Sequence, residues 1–224
     1  MGEQIVKAKG VALLAAGFLL LASCGNGDDP EAAPDTDDGV SQAFPRQEVA
    51  VAVGEEPPSP EDVGVGDEVN PIDRDTLDID VATFGEQWNA TAGDLGEEGL
   101  IVDEWLVGYA MPGGSFTHEF ADWLAVFGGW SYQSGDLTFA SVEWDFVPEI
   151  DGELTFSSWP TLIGAVLGAD SPETIIEVMD DLGLIGVTED DFAVGLDAEV
   201  ERDGVVFEVF SIDSGGILEA RPAG

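Results

Sequence analysis

The sequence contains very few residues that carry thiol, imidazole or amine chemistry. Cys24 is its only cysteine and His118 its only histidine. One cysteine excludes an internal disulfide and a multi-thiolate metal site, and one histidine excludes a multi-histidine zinc site. The sequence also has no G-x-S-x-G, S-x-x-K, G-x-G-x-x-G, phosphate-loop or H-E-x-x-H motif. We therefore predict no catalytic, cofactor-binding or metal-binding residue.

Positive charge is equally scarce. Six Lys and Arg residues face 47 Asp and Glu residues, which gives a formal net charge of −41. Acidic residues spread along the whole chain are typical of halophile proteins, and binding of calcium or of a basic partner is the alternative interpretation. The same charge argues against binding to nucleic acid or to an anionic lipid surface.

The chain begins with a pattern typical of secretion signals. Lys7 and Lys9 precede an apolar run from Val11 to Leu21, and small residues follow it. Because a helix needs about 20 apolar residues to cross the hydrocarbon core, this shorter run favours a signal peptide over a permanent transmembrane helix.

The end of that run, Leu21-Ala22-Ser23-Cys24, resembles the lipobox of bacterial lipoprotein precursors. The resemblance implies a diacylglyceryl thioether on Cys24, with acyl chains such as palmitate, and cleavage in front of the cysteine. Two or three acyl chains bury enough CH₂ groups for stable anchoring. We therefore predict a signal peptide over residues 1–23 and a lipid-anchored, extracytoplasmic protein on the cell membrane or the outer membrane.

Residues 24–75 have the composition of a tether. They contain seven of the twelve prolines, fifteen acidic residues and a single aromatic residue, Phe44. Such a segment cannot bury enough apolar surface to offset its conformational entropy, so we expect disorder. One exception is the alternation of Val49, Val51 and Val53, which indicates a short strand added to a sheet edge.

Residues 76–224 are predicted to form one domain, because fifteen of the twenty aromatic residues fall between Phe84 and Trp159. Apolar periodicity, capping residues and turn signals predict the following elements. They are a helix over Asp80–Ala92; strands over Leu100–Tyr109, Phe116–Phe127 and Leu137–Phe146; helices over Trp159–Leu167 and from Ser171-Pro172-Glu173 to Gly183; and strands over Phe192–Val200, Val205–Ile212 and Ile217–Arg221.

The predicted fold class is α+β, with antiparallel sheets packed against a few helices. The order is helix, three strands, helices, three strands, which also suggests an internal duplication with a period of about 80 residues. This order resembles the helix-then-sheet modules of the β-lactamase-inhibitor protein and of small envelope-assembly lipoproteins. The resemblance involves no residue motif and therefore implies fold alone.

Three groups of residues are candidates for a metal site, a general base or a ligand contact. Asp73, Asp75, Asp78 and Asp80 form an acidic cluster that fits a helix cap better than a calcium loop. His118 and Glu119 form a candidate general-base pair, although no nucleophile accompanies them. Trp130 and Tyr132, in an expected hairpin tip, are the candidate ligand contacts.

We predict a non-catalytic, lipid-anchored binding or interaction domain of the cell envelope. Its partners would be the membrane, through the lipid on Cys24, and an envelope protein or glycan. An envelope hydrolase that uses two carboxylates and a structural spacer are the alternatives.

Overall fold

The computed structural model describes residues 47–64, 75–110, 113–145, 152–168, 172–187, 195–212 and 214–224. These residues belong to one compact unit, Ala43–Gly224. The expected signal peptide, Cys24 and the tether residues 24–46 and 65–74 lie outside the described residues. None of the helices in the described part is long and apolar enough to cross a membrane.

Within the described residues, eight strands form one antiparallel sheet packed with helices, which confirms the α+β class. Its spatial order is β1-β2-β3-β4-β5-β8-β7-β6. The strands are β1 (Gln47–Ala52), β2 (Glu104–Ala110), β3 (Gly113–Ala121), β4 (Leu124–Trp130), β5 (Leu137–Asp145), β6 (Asp197–Arg202), β7 (Val205–Ile212) and β8 (Gly215–Pro222).

Three α-helices accompany the sheet: α1 (Val81–Leu95), α2 (Gly152–Leu167) and α3 (Pro172–Asp181). The start of α1 agrees with the sequence prediction, because Asp80 caps it by accepting a hydrogen bond from the Thr83 amide at 2.7 Å. Gly96, at φ 79°, ends the helix in the left-handed conformation that glycine adopts without strain.

The helices pack on one side of the sheet, which we call the inner face. The ring centroids of Phe84 in α1 and Phe116 in β3 are 5.3 Å apart, and those of Trp159 in α2 and Trp144 in β5 are also 5.3 Å apart. All four side chains are at most 1% exposed. Large aromatic side chains bury 150–250 Å² each, so this interface between helices and sheet holds the core together.

The predicted order of elements is wrong in its first half. Phe116–Phe127 is not one strand: β3 ends at Ala121 and β4 begins at Leu124, with Asp122 and Trp123 as a two-residue connection. Asp122 is the only turn-favouring residue in the run, and the apolar side chains on both sides of it give a continuous strand-like pattern that conceals the reversal. The observed order is one strand, a helix, four strands, two helices and three strands.

The predicted strand over Phe116–Phe127 stops before Gly128 and Gly129, so both glycines were expected in the connection to the next strand. Both lie inside β4. A Cβ at Gly128 would meet the Phe116 ring at 2.5 Å, and one at Gly129 would meet the Phe139 ring at 2.7 Å. These glycines therefore provide space for aromatic rings on the two faces of the sheet, and the turn to β5 comes after Trp130.

The β6–β7 hairpin turns where Arg202-Asp203-Gly204 predicts a turn. Arg202 pairs with Val205, and the two loop residues Asp203 and Gly204 have φ values of 54° and 81°. Positive φ at both loop positions is the type I′ geometry that suits the twist of a two-residue hairpin.

The helix predicted over Trp159–Leu167 is longer than expected. α2 begins at Gly152 and includes Pro160 in its interior. Proline is usual in the first turn of a helix, and in the interior it lacks the N–H group that the helix hydrogen-bonding pattern requires. Burial of nine of the sixteen residues, Trp159 among them, offsets the unfavourable position of the proline.

Strand β1 lies within the segment expected to be a tether, at the position of the Val49 and Val51 alternation. It pairs antiparallel with β2, and Val51, which is 4% exposed, stands opposite Trp105. The chain then stays on the inner face, since Pro58 accepts a hydrogen bond from the Tyr109 hydroxyl at 2.6 Å. The folded sheet therefore includes residues upstream of Thr76.

Candidate functional site

The face of the sheet opposite the helices is the candidate functional surface, and we call it the outer face. Side chains alternate between the two faces along each strand. In β2, for example, Trp105 and Val107 are fully buried on the inner face, whereas Leu106 points outward and is 43% exposed. Among the described residues, every helix lies on the inner side.

Apolar side chains are frequent on the outer face. Phe210 and Ile212 of β7 are 43% and 48% exposed. Phe127 and Phe139 are half-buried and contact each other edge to face, with ring centroids 6.0 Å apart. Phe210 also stands directly opposite Ile217 of β8, and neighbouring apolar side chains on an uncovered face are a usual sign of an interaction site.

The strand register joins apolar and acidic residues into one row across the sheet. Leu106 stands opposite Thr117, which stands opposite Phe127, and the row continues through further strands. The continuation consists of Ser141, Glu219, Glu208 and Glu199. One end of the row is therefore apolar and the other end is acidic, and we call Glu199, Glu208 and Glu219 the acidic row.

The acidic row has one cation. The Arg221 guanidinium lies 2.7 Å from Glu199 and 3.4 Å from Glu208, and its Nε lies 3.9 Å from Glu219. Like charges directly opposite each other on neighbouring strands destabilise a sheet. One guanidinium cannot neutralise three carboxylates, so this part of the outer face keeps a local excess of negative charge.

Two carboxyl groups on the outer face have a raised pKa. Burial and the neighbouring Glu208 raise the pKa of Glu219, and Arg221 opposes the shift. Burial and Asp145 raise the pKa of Glu143. When folding raises the pKa of a carboxyl group, the folded state disfavours the charged form of that group. Its contribution to the free energy of unfolding therefore falls as pH rises above the group's ordinary pKa. An approaching cation would relieve this penalty.

His118 and Glu119 do not form the candidate general-base pair. Consecutive strand residues point to opposite faces. His118 lies on the inner face, where its ring is 4.9 Å from Phe120 and its Nδ1 lies 3.2 Å from the Glu104 carbonyl oxygen. Glu119 is exposed on the outer face. The two side chains cannot act on one substrate.

The structure places Trp130 and Tyr132 in an inner-face cluster instead of at an exposed tip. Trp130 is only 6% exposed because its indole lies over Gly114. Its ring centroid is 5.0 Å from Tyr132 and 5.8 Å from Tyr109. Burial raises the pKa of Tyr109 to about 12, with smaller contributions from Tyr132 and Asp62. Ligand contact by Trp130 and Tyr132 stays a prediction, with the half-buried Tyr132 as its accessible member.

The acidic cluster at the start of the domain is divided. Asp73 lies outside the described residues, and Asp80 is used as the helix cap. In the described part of the chain, no group of three or more His, Cys, Asp or Glu side chains is arranged to hold a metal ion.

The outer-face residues were missed by reasoning from the sequence. The alternation in Val205–Ile212 signals a strand with two different faces, but it does not say which face the helices cover. A partial signal was available in Phe210 and Ile212, because they share the phase of Glu208 and not that of the buried Phe207 and Val209.

The fold and the surface define an α+β protein with one eight-stranded antiparallel sheet, covered by its described helices on one side only. No protein-family model matches the chain, and no curated protein or solved structure shows significant similarity to it. Its function therefore has to be argued from this geometry.

Proposed function

We propose that this protein is a non-catalytic, lipid-anchored binding domain of the cell envelope that contacts a protein partner through the outer face of its sheet. The proposal rests on apolar side chains exposed at two places on a face that no described helix covers: Leu106 on β2 and Phe210 on β7 are each 43% exposed. A spacer would have no need for such a surface, because exposed apolar patches add a risk of aggregation.

The anchor rests on the lipobox Leu21-Ala22-Ser23-Cys24. Cys24→Ser removes the thiol that would carry the lipid, so we expect the protein to move from the membrane fraction to the soluble fraction. Ser23→Ala keeps a small residue before the cysteine and should stay with the membrane. Mass spectrometry of the N-terminal peptide is the direct measurement, and a wild-type peptide without a lipid mass would disprove the anchor.

The binding surface is tested by photo-crosslinking in intact envelopes. A photoreactive phenylalanine analogue at Leu106 or Phe210 should produce a discrete adduct with another protein. The matched controls are Leu95 and Ile176, which are apolar, 47% and 58% exposed, and located on the helices. Equal adducts from all four positions, or none from Leu106 and Phe210, would contradict the proposal.

One observation keeps a carboxylate hydrolase as the second candidate. Glu143 and Glu219 lie on neighbouring strands of the outer face, and burial raises the pKa of both. Diagonal neighbours in a sheet are about 7–8 Å apart, which lies within the spacing of glycosidase acid pairs. Their side chains project side by side from one face, however, and do not face each other across a cleft. Loss of a measured hydrolytic activity in both Glu143→Gln and Glu219→Gln would favour this candidate.

We also infer an internal duplication. The strand order β2-β3-β4-β5-β8-β7-β6 supports it, because the last strands of the two halves are neighbours. β5 and β8 pair antiparallel with Val142 opposite Leu218. A two-fold axis between these strands would exchange the two meanders, and each half begins with helix.

A further inference from the structure

We infer that the partner docks on the outer face with a protein segment that combines apolar side chains with Lys or Arg. The inference rests on the proposed binding function and adds the chemistry of the partner. The strand register motivates this inference. Leu106 and Phe127 lie at one end of the row of residues that crosses the outer face. The acidic row lies at the other end of the same row and consists of Glu199, Glu208 and Glu219.

The negative charge of the outer face favours a partner segment that carries Lys or Arg. Ten acidic side chains belong to the outer face, and Arg221 is its one cation among the described residues. The ten are Glu48, Glu104, Glu119, Glu143, Asp145, Asp197, Glu199, Glu201, Glu208 and Glu219. A surface of this kind attracts cations and repels anions, and opposite charges across an interface set its specificity.

The same charge excludes the nearest alternatives. A second copy of the chain would bring an identical set of carboxylates against the outer face, and like-charge juxtaposition is costly. The chain's own residues 25–46 contain six acidic residues and only Arg46, so they are repelled as well. Anionic lipid headgroups are disfavoured for the same reason.

Exposed apolar side chains at both ends of the outer face argue for a protein and against a free polyamine or a glycan. Leu106, Phe210 and Ile212 are between 43% and 48% exposed and offer no hydrogen-bonding groups in their side chains. Such residues gain free energy by excluding water from matching apolar side chains. A cation next to that contact would meet Glu219, whose partial burial protects the ion pair from salt screening.

Synthetic helical peptides provide a defined probe. The first peptide carries a leucine stripe at i, i+3, i+4 spacing with lysine at the other positions. The second replaces lysine with glutamate, and the third replaces leucine with serine. Binding to residues 24–224 carrying Cys24→Ser is measured by calorimetry in 0.15 M and 1 M NaCl. We expect the Lys-Leu peptide to bind at least tenfold more tightly than either of the others.

Variants locate the binding site. The double variant Glu208→Gln/Glu219→Gln should weaken binding of the Lys-Leu peptide at least fivefold, and Phe210→Ser should weaken it as well. Glu153→Gln/Glu173→Gln removes the same charge from exposed helix positions, so it should change the affinity less than twofold. Circular dichroism confirms that each variant folds.

Three results would overturn the inference. They are no binding of the Lys-Leu peptide, equal binding of the Lys-Ser peptide, and equal loss in the two double variants, which would indicate attraction to net charge alone. Failure of the proposed function can be distinguished from failure of this inference, because it would show as missing adducts at Leu106 and Phe210 in intact envelopes. An adduct whose partner segment lacks cations would keep the function and reject this inference.

Discussion

Gly128 shows how a single residue is determined by a neighbour that is distant in the sequence. Its missing side chain leaves room for the ring of Phe116 on the adjacent strand, where a Cβ would approach Cε1 and Cζ at 2.5 Å. Gly114 makes room for the indole of Trp130 in the same way. The size of these aromatic rings, and not backbone conformation, requires glycine at both positions.

Gly128 and Gly93 differ in the space available for an added side chain. Gly128→Ala should destabilise the domain by about 1–3 kcal/mol, because overpacking forces the Phe116 ring and the strand to shift. Gly93→Ala is the control, since nothing lies within 4 Å of the added Cβ in the interior of α1. Alanine there should stabilise the helix by about 0.5–1 kcal/mol. Denaturant titration of both variants measures the difference, and a neutral effect of Gly128→Ala would contradict the packing argument.

At the scale of elements, strand β1 confirms the short edge strand that the alternation of Val49, Val51 and Val53 predicted within the expected tether. Six residues from a segment rich in acid and proline form the edge strand of the sheet. Val51 is 4% exposed, and the partly buried Val49 and Val53 pack against the same core. Composition averaged over 24–75 conceals this contribution, whereas the valine alternation reveals it.

Two truncations test the contribution of β1. A chain that starts at Gln47 should melt at the same temperature as residues 24–224. A chain that starts at Glu55 should lose about 2–4 kcal/mol of stability, because Val49 and Val51 no longer bury their side chains and Trp105 becomes accessible. Differential scanning calorimetry measures both. Equal melting temperatures would mean that β1 pairs with the sheet without stabilising it.

For the whole molecule, charge has consequences that no single contact shows. After removal of residues 1–23, four arginines would face 46 acidic residues, a formal charge of −42. In the described domain Arg202 pairs with Glu177 at 3.0 Å and Arg221 pairs with the acidic row. Exposed pairs of this kind are worth at most about 1 kcal/mol each. Most acids therefore repel one another without compensation.

The whole-molecule prediction is that folding requires salt. The Debye length falls from about 10 Å at 0.1 M salt to about 3 Å at 1 M, so added NaCl removes most of the long-range repulsion and should raise the melting temperature. An uncharged osmolyte is the control, because it strengthens apolar burial without screening. A rise no steeper in NaCl than in the osmolyte would reject screening as the cause. A sharp gain at millimolar calcium, absent at equal ionic strength of NaCl, would instead indicate a specific cation site.

Features that depend only on neighbouring residues could be predicted from local sequence patterns. Asp80 caps α1 and Asp203-Gly204 turns the β6–β7 hairpin, because a cap and a type I′ turn each involve only a few consecutive residues. The α+β class follows from the alternation of helical and strand periodicity along the chain. Net charge likewise needs no structure.

The accessibility of individual side chains could not be predicted in this way, because it follows from the three-dimensional fold. Trp130 was expected at a surface tip, yet it is 6% exposed because Gly114 of the neighbouring strand accepts its indole. Leu106 was not singled out, yet it is 43% exposed because the described helices pack on the opposite face. Both outcomes depend on contacts between distant parts of the chain. The candidate site therefore emerges from strand register and helix placement, which local sequence patterns do not encode.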